Sequence, residues 1–452
     1  MSTRTVVRRP PESLGAPTPE FRLSEDDIRQ RSTRAGEPGW MLEARLRAWQ
    51  HYLSMPMPTP QDEAWRRTDL SGLPAGQVAW SPVDELTVDP ALLQPITDES
   101  QAGLLILRPG LPPMSNVDPA LAARGVVFTD WSTALREHRG LLQKNLGRLV
   151  APSSSKFAAL AAAAADTGVV LFVPPGVRLE QPVHSVIWAP GAGRAFATRL
   201  LVLLGKGASA TFVHEFASPT EAENAAFHAG TLEVILEEEA QLTLVELQTW
   251  GEHVWTVSHE QAQVGANARL DWIFGAVGSH LTKNFSELTL AGEGAEGRMS
   301  GFYFTDGVQH LDHDTQQNHL AAHTTSDLLF KGALTGKSRS VWQGMIFVAP
   351  GAQRTDGYQA NRNLLLSRHA RADSIPGLEI LADDVRCTHG ATVGRLDEEP
   401  LYYLMTRGIP RADAERLVVH GFFAPIMSRI PFEGVRERFQ RMIDEKMRQA
   451  IR

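Results

Sequence analysis

A cysteine and a histidine two residues apart, Cys387 and His389, are the side chains best placed to bind a metal. Thiolate and imidazole groups are ligands that suit iron and zinc. If this stretch is a strand, both side chains point to the same face, with Cα atoms about 6.5 Å apart. Two ligands from one chain leave coordination positions that a second chain could fill. Val385, Ala391 and Val393 share that face, so an ordinary buried thiol is the alternative interpretation.

A second group of possible ligands runs from His310 to His323 and holds four histidines and two aspartates. Its spacing matches no standard metal site. A separation of three residues in a strand sends His310 and His313 to opposite faces, which argues against one shared metal. We therefore interpret these histidines as hydrogen-bonding residues on neighbouring turns of the fold. A standalone metal-binding protein that uses this group stays open as an alternative.

The sequence contains no convincing catalytic motif. Residues 332–338 resemble a phosphate-binding loop, but three residues rather than four separate the two glycines, and a strand pattern follows instead of a helix. The acidic residues 237–239 could suggest the paired carboxylates of a glycosidase, yet adjacent acids at a corner are typical of a solvated turn. We predict that the chain is not an enzyme. A β-helical carbohydrate-active enzyme is the alternative.

The composition of the 452 residues restricts the possible partners and cofactors. Lys and Arg number 44 against 52 Asp and Glu, a formal charge of −8 that gives no general attraction to nucleic acid or anionic lipid. The single cysteine, Cys387, rules out an internal disulfide and an iron–sulfur cluster held by this chain's thiolates alone. We find no secretory signal and no membrane-spanning segment in the sequence, so we expect a cytoplasmic protein.

From about residue 168 onward, short β-rich runs alternate with turns that contain Gly, Ala or acidic residues. The steps between the alanines at successive turns are 32, 26 and 29 residues, measured at Ala208, Ala240, Ala266 and Ala295. A period of about 30 residues with two strands per repeat is typical of a β-solenoid. We therefore predict a mainly β protein with a right-handed parallel β-helix over residues 166–395. An antiparallel sandwich is the alternative, although strong Asn-Gly hairpin signals are missing.

Helical patterns flank the predicted solenoid. We expect a flexible arm over residues 1–23 and a helical or mixed domain over residues 24–165, which begins with Ser24 as a helix N-cap. Residues 40–52 and 156–165 have helical character. Residues 396–452 form a C-terminal helical domain with an unusually apolar surface, carried by Leu417, Val418, Phe422 and Phe423. Either a partner docks on this surface or it caps the solenoid.

Longer strings of the sequence resemble a known family. SRSVWQGMIFVAPGAQRTDGYQANRNLLLS, ADSIPGLEILADDVRCTHGATVGRLDEE and LYYLMTRGIPRADAERLVVHGF, from residue 338 onward, are similar to the SufB/SufD family, scaffold subunits of the SUF iron–sulfur cluster assembly system. EAWRRTDL near residue 63 and VPPGVRLEQPV near residue 173 extend the likeness over most of the chain. The CTHGATVG string resembles the SufD branch. SufB carries a cysteine on the strand before the one that matches CTHGATVG. Residues 368–379, the corresponding strand here, contain no cysteine, which favours SufD over SufB.

This resemblance implies a non-catalytic scaffold in a SufB–SufC–SufD complex. His389 would be a ligand for iron or a nascent cluster shared with a SufB-like subunit, with Cys387 in a supporting role, and this chain alone would hold no cluster stably. The C-terminal helices, through Leu417, Val418, Phe422 and Phe423, would dock SufC, the ABC-type ATPase that supplies the energy. A homodimer of the isolated chain stays open.

Overall fold

The computed structural model describes residues 19–80, 101–221, 224–430 and 433–450. Strands dominate these ranges from residue 167 to residue 395. In chain order they are β1 (Gly103–Leu107), β2 (Met114–Val117), β3 (Val127–Asp130), β4 (Thr167–Val173), β5 (Val183–Trp188), β6 (Ala195–Leu204), β7 (Ser209–Ala217), β8 (Ala226–Leu236), β9 (Gln241–Thr249), β10 (Val254–Val264), β11 (Arg269–Ala276), β12 (Leu281–Leu290), β13 (Glu296–Thr305), β14 (His310–His319), β15 (Thr325–Leu334), β16 (Arg339–Val348), β17 (Asp356–Leu365), β18 (Arg371–Ile380) and β19 (Arg386–Arg395).

Helices lie before and after the run of strands. They are α1 (Glu25–Arg34), α2 (Gly39–Ser54), α3 (Pro119–Ala123), α4 (Trp131–Glu137), α5 (Arg139–Asn145), α6 (Lys156–Ala164), α7 (Glu398–Thr406), α8 (Arg411–Met427) and α9 (Glu433–Ala450), with one turn of 3₁₀ helix at Glu63–Trp65. Within the described ranges, no helix combines the length and the apolar character needed to cross a bilayer.

The strands form the two long sheets of a parallel solenoid. From β4 onward the chain alternates between the sheets, so the even-numbered strands line up in one sheet and the odd-numbered strands in the other. Each strand pairs with strands one repeat away: Arg269 lies opposite Gln241 on one side and Glu296 on the other. The predicted parallel solenoid is confirmed, and the antiparallel sandwich is wrong. The predicted N-terminal domain adds β1 to one sheet and β3 to the other.

A left-handed residue followed by a buried alanine marks successive corners. The left-handed residues and their φ angles are Gly207 (66°), Glu239 (59°), Asn267 (53°) and Gly294 (71°). The alanines that follow are all fully buried: Ala208, Ala240, Ala268 and Ala295. A positive φ turns the chain sharply, and a methyl group fits the narrow corner. The third corner alanine is therefore Ala268 rather than Ala266, because Asn267 takes the left-handed conformation.

Alternate side chains of each strand point into the lumen between the two sheets, since side chains in a strand have a period of two. Leu242, Leu244, Leu270 and Trp272 are buried there and belong to the main apolar core. The residues between them face outward; Val245 and Ile273 pack beneath other parts of the chain. This alternation fixes which residues of the last strands face the lumen.

The N-terminal segment packs on the outer face of the even-numbered sheet. Ser24 caps α1 in a capping box with Asp27, as its sequence predicted. The predicted flexible arm over residues 1–23 lies largely outside the described residues, which begin at residue 19. Phe21 and Leu23 are nevertheless buried, and Phe21 packs 4.4 Å from the Phe227 ring, measured between centroids. The packed part of the chain therefore begins before residue 23, because these apolar side chains fill a gap on the sheet.

The C-terminal helices α8 and α9 pack on the outer face of the odd-numbered sheet. Phe423 is 1% exposed, and its ring centroid lies 6.1 Å from that of Phe302 on the sheet. Phe302 also packs against Phe439 of α9, with the ring centroids 4.8 Å apart. Ion pairs join Arg438 to Glu215 and Lys446 to Asp306, linking α9 to the solenoid. One side of the apolar C-terminal surface therefore covers this chain's own sheet.

Candidate metal centre

The solenoid ends in two strands that are each paired on one side. Within the described residues, β19 pairs with β17 and β18 pairs with β16, and no further strand continues either sheet. The outer edges of β18 and β19 therefore present unpaired backbone N–H and C=O groups. Helices α8 and α9 pack against the outer face of the odd-numbered sheet.

Cys387 and His389 lie on β19 and face the lumen at this open end. Strand register places Cys387 opposite Gly357 and His389 opposite Gln359. Gln359 in turn lies opposite Leu328, which belongs to the core between the sheets. Because the sheet ends at β19, side chains that would be enclosed in an inner turn are accessible here. Cys387 is half-buried and His389 is exposed.

The Cys387 thiol occupies space that Gly357 leaves free. A Cβ atom on Gly357 would lie 3.2 Å from Cys387 Sγ, 3.4 Å from Ile346 Cγ2 and 3.5 Å from His319 Nε2. Burial raises the pKa of the Cys387 thiol, a backbone hydrogen bond with Gly357 opposes the rise, and the charge of Asp356 adds to it. The thiol is therefore protonated at neutral pH, and metal binding must displace its proton.

The donor atoms at this end suit a shared site. A thiol and an exposed imidazole, two residues apart on one face, can both reach a metal at the mouth of the lumen. Among the described residues, no group of three or more His, Cys, Asp or Glu side chains is arranged to hold a metal ion. Iron or a nascent cluster bound here would need further ligands from another molecule.

Apolar side chains surround the open end. Exposed fractions are 36% for Leu378, 38% for Ile380, 52% for Leu381 and 46% for Val393. Leu378 and Ile380 lie opposite Ile346 and Val348, which are fully buried one turn inside. The last turn thus exposes the same kind of surface that the inner turns bury against one another. Such a surface beside unpaired strand edges is typical of an association site.

The histidines between His310 and His323 do not come together. His310 faces outward, 3.2 Å from Thr68 Oγ1, whereas His313 lies in the lumen against Tyr303. The predicted division between opposite faces is therefore confirmed for this pair. His323 lies at an exposed corner. These positions give no support to a separate metal-binding site in this segment.

His319, the remaining member of that group, lies beside Cys387, which the sequence analysis missed. It is fully buried, and its ring nitrogens are 2.7 Å from Thr324 Oγ1 and 2.9 Å from Ser326 Oγ. Burial lowers the pKa of His319 to about 4, so the ring is neutral at physiological pH. The strand register could have suggested this neighbourhood, because Ser326, Gly357 and Cys387 occupy one row across three turns.

The four residues predicted to dock a partner differ in exposure. Leu417 is 48% exposed, Val418 and Phe422 are half-buried, and Phe423 faces the solenoid. The neighbouring helix α7 adds exposed Tyr402 (70%), Tyr403 (58%) and Met405 (41%), which the sequence analysis did not select. The outer apolar surface of α7 and α8 therefore excludes Phe423.

The two catalytic patterns that the sequence analysis set aside both lie at solenoid corners. Residues 332–338 join β15 to β16, with Gly336 in the left-handed region at φ 62°. Residues 237–239 join β8 to β9, and Glu238 pairs with Lys206 on the surface. Neither segment precedes a helix or lines an enclosed pocket with paired carboxylates, so the corner interpretation is confirmed for both.

Comparison with known proteins identifies the family. Residues 187–422 match the model of the SufBD core domain of SUF system FeS cluster assembly. The chain belongs to the SufB/SufD family. The iron-sulfur cluster assembly protein SufD of Bacillus subtilis (strain 168) is 30% identical over 431 residues, which cover 94% of this chain and 98% of that protein. The iron-sulfur cluster assembly protein SufB of the same strain is 27% identical over 447 residues, covering 95% and 94%.

A SufBD family protein of Staphylococcus haemolyticus (strain JCSC1435) is also 27% identical, over 444 residues that cover 95% of this chain and 94% of that protein. The alignments with these relatives each cover at least 94% of this chain. The resemblance found in the sequence is therefore confirmed, with identity to SufD slightly above identity to SufB.

Proposed function

We propose that this chain is a SufD-type, non-catalytic scaffold subunit that contributes ligands to an iron–sulfur cluster being assembled. The observation that carries the proposal is the position of Cys387 and His389 on β19, which pairs with β17 on one side and forms the edge of its sheet at the open end of the solenoid. Iron or the nascent cluster is the cargo, held transiently and shared with a partner. His389 acts as a ligand, and Cys387 supports it once its thiol has lost the proton.

The partner at the open end is a SufB-like subunit with the same solenoid fold. Its edge strands would pair with β18 and β19 and satisfy their free backbone groups. The same contact would cover the exposed apolar residues Leu378, Ile380 and Val393. It would also bring the additional ligands that a metal at Cys387 and His389 requires. A second copy of this chain is the alternative occupant.

The outer surface of α7 and α8 is the docking site for a SufC-type ATPase. Leu417 of the predicted set is exposed, as are Tyr402 and Tyr403 of α7, and Val418 is half-buried. Phe422 is half-buried and packs toward the solenoid, with its ring centroid 4.8 Å from Lys331 Nζ. ATP hydrolysis then belongs to the partner, and this chain supplies no catalytic residue. A cytoplasmic location remains a prediction for this assembly.

Cluster assembly by the purified complex tests the ligand role. The chain is co-expressed with SufB-type and SufC-type subunits, and cluster yield is measured by absorbance after reconstitution with iron and sulfide. His389→Ala should lower the yield while the complex keeps its size on gel filtration, because His389 is exposed and its loss leaves no cavity. His369→Ala, also exposed at a corner, is the matched control. A normal yield from His389→Ala would reject the ligand role.

Co-purification tests the ATPase surface. Leu417→Asp and Tyr403→Glu should each reduce recovery of the SufC-type subunit with little change in the thermal midpoint, since both side chains are exposed. Phe423→Ala should instead lower stability by about 3–5 kcal/mol, because this ring fills the interior contact with the solenoid. Full recovery of the ATPase with both exposed variants would place its docking site elsewhere.

A further inference from the structure

A cleft that could hold a ligand lies at the opposite end of the solenoid from Cys387 and His389. Two cavities of about 270 Å³ and 450 Å³ meet at Arg31 and Arg34, on the last turn of α1. The smaller cavity is bounded by residues 107–113 and by the first residues of α4 and β4, and the larger by residues 76–80. Because β4 lies at the first turn of the solenoid and β19 at the last, the cleft is separate from the candidate metal centre.

Arg31 forms a fixed wall between the two cavities. Its Nη1 donates to Asp166 Oδ2 at 2.7 Å, and its guanidinium carbon lies 5.9 Å from the centre of the Trp80 ring. Only 9% of the Arg31 side chain is exposed. This arginine is therefore neutralised and held in place by its own surroundings.

Three further arginines line the cleft, and none forms an ion pair with a described residue: Arg22, Arg34 and Arg108. They come from the segment before α1, from α1 itself and from the turn after β1. The Nε atom of Arg108 is buried and has no hydrogen-bond partner among the described residues. Arg34 also suits the negative end of the α1 dipole, but this explanation does not extend to Arg22 or Arg108, which lie on other elements.

The carboxylates that line the cleft already form ion pairs or hydrogen bonds with other groups of this chain. Asp166 pairs with Arg31. Asp130 accepts hydrogen bonds from the backbone N–H groups of Ser132 and Thr133, and Asp27 completes the capping box of α1. Among the described residues, the cleft therefore keeps an excess of cationic donors, which favours an anionic ligand that accepts hydrogen bonds.

The smaller cavity also has an apolar wall, formed by Leu107, Leu111, Pro112 and Pro113. Its volume approaches the lower limit of about 300 Å³ for small-molecule sites, and the adjoining cavity extends it. We propose that this cleft binds a phosphorylated small molecule of mononucleotide size. Arg34 and Arg108 hold the phosphate, since planar guanidinium groups match phosphate oxygens, and the body of the molecule lies against the apolar wall.

Isothermal titration of the full-length protein with AMP and with inorganic pyrophosphate tests this proposal. We expect saturable binding of AMP with one site per chain, and a loss of at least about tenfold in affinity for Arg34→Glu and for Arg108→Gln. Arg47→Glu, on an arginine of α2 whose side chain is 68% exposed outside the cleft, is the matched control and should bind normally. Unchanged circular dichroism spectra and thermal midpoints verify that the variants fold.

Two results would overturn the proposal. One is the absence of binding by AMP and pyrophosphate up to about 5 mM. The other is a loss of affinity in Arg47→Glu equal to that in the cleft variants, which would mean attraction by surface charge in general. Binding of pyrophosphate without AMP would support the phosphate contacts and refute the role of the apolar wall. None of these outcomes depends on the role of His389.

Discussion

Replacing Gly357 with alanine should displace the Cys387 thiol without changing either proposed ligand. The added methyl group would meet Sγ at 3.2 Å, which is closer than an ordinary van der Waals contact, and Ile346 Cγ2 at 3.4 Å, the short end of such contacts. His319 Nε2, at 3.5 Å on the interior side, is held by hydrogen bonds. The sulfur can yield by a few tenths of an ångström toward the open end, where no described strand lies beyond β19.

The cost in stability should be small. Overpacking of a core by one methyl group costs about 1–3 kcal/mol. Alanine recovers about 0.4–1 kcal/mol by restricting the unfolded chain, because Gly357 does not adopt the left-handed conformation that would strain it. We therefore expect a net loss of about 1–2 kcal/mol in the free energy of unfolding, which leaves the protein folded.

Two measurements follow the displaced thiol. Cys387 is the single cysteine, so its reaction with a disulfide reagent such as DTNB reports on one sulfur. The rate should rise several-fold in Gly357→Ala, and cluster yield in the assembled complex should fall. Gly394→Ala, on the same strand with no atom within 4 Å of the new Cβ, is the matched control. An unchanged rate in a folded Gly357→Ala protein would refute the contact between Gly357 and Cys387.

Two buried carboxylates give predictions of opposite sign. Burial, and then the charge of Glu260, raise the pKa of Glu246. The stability that this carboxyl group contributes is lost as pH rises through the raised pKa. Glu246→Gln should therefore raise the thermal midpoint at about pH 8, and the gain should shrink toward about pH 4.5. A gain that does not change with pH would contradict this. Burial would raise the pKa of Glu215, but Arg438 and His184 together lower it to about 2. Arg438→Met should therefore cost about 3 kcal/mol, because the buried Glu215 carboxylate would lose its ion pair and keep only its contact with His184. Arg441→Met, at a side chain 69% exposed on the same helix, should cost under about 0.5 kcal/mol. Equal thermal midpoints for these two arginine variants would show that the ion pair does not hold α9.

Local sequence signals predicted the solenoid and the start of α1 correctly. Turns rich in small residues repeat about every 30 residues, and this spacing alone indicates stacked turns of two strands. Ser24 predicted the start of α1 because a serine followed by acidic residues satisfies the free N–H groups of a first turn. The misplaced corner at Ala266 shows the limit of this approach, since the conformation of Asn267 cannot be read from composition.

The candidate site was predicted in part. Two residues at strand spacing share a face whatever the surrounding fold, so the common orientation of Cys387 and His389 followed from the sequence. Whether that face is enclosed depends on the presence of another turn beyond β19, which no local pattern reveals. The position of His319 beside Cys387 also required the strand register, because the two residues are separated by 68 positions in the chain.

The sequence by itself determined the repeat, the strand periodicity and the presence of one thiol, because these depend on residue types and their spacing along the chain. Tertiary structure decided which lumen-facing residues are accessible, which apolar helix face covers the solenoid, and which arginines form no ion pair with a described carboxylate. Phe423 illustrates the difference: its apolar character is local, whereas its burial depends on its contact with Phe302, which forms when α8 packs on the sheet. Such contacts between distant segments are set by the way the turns stack.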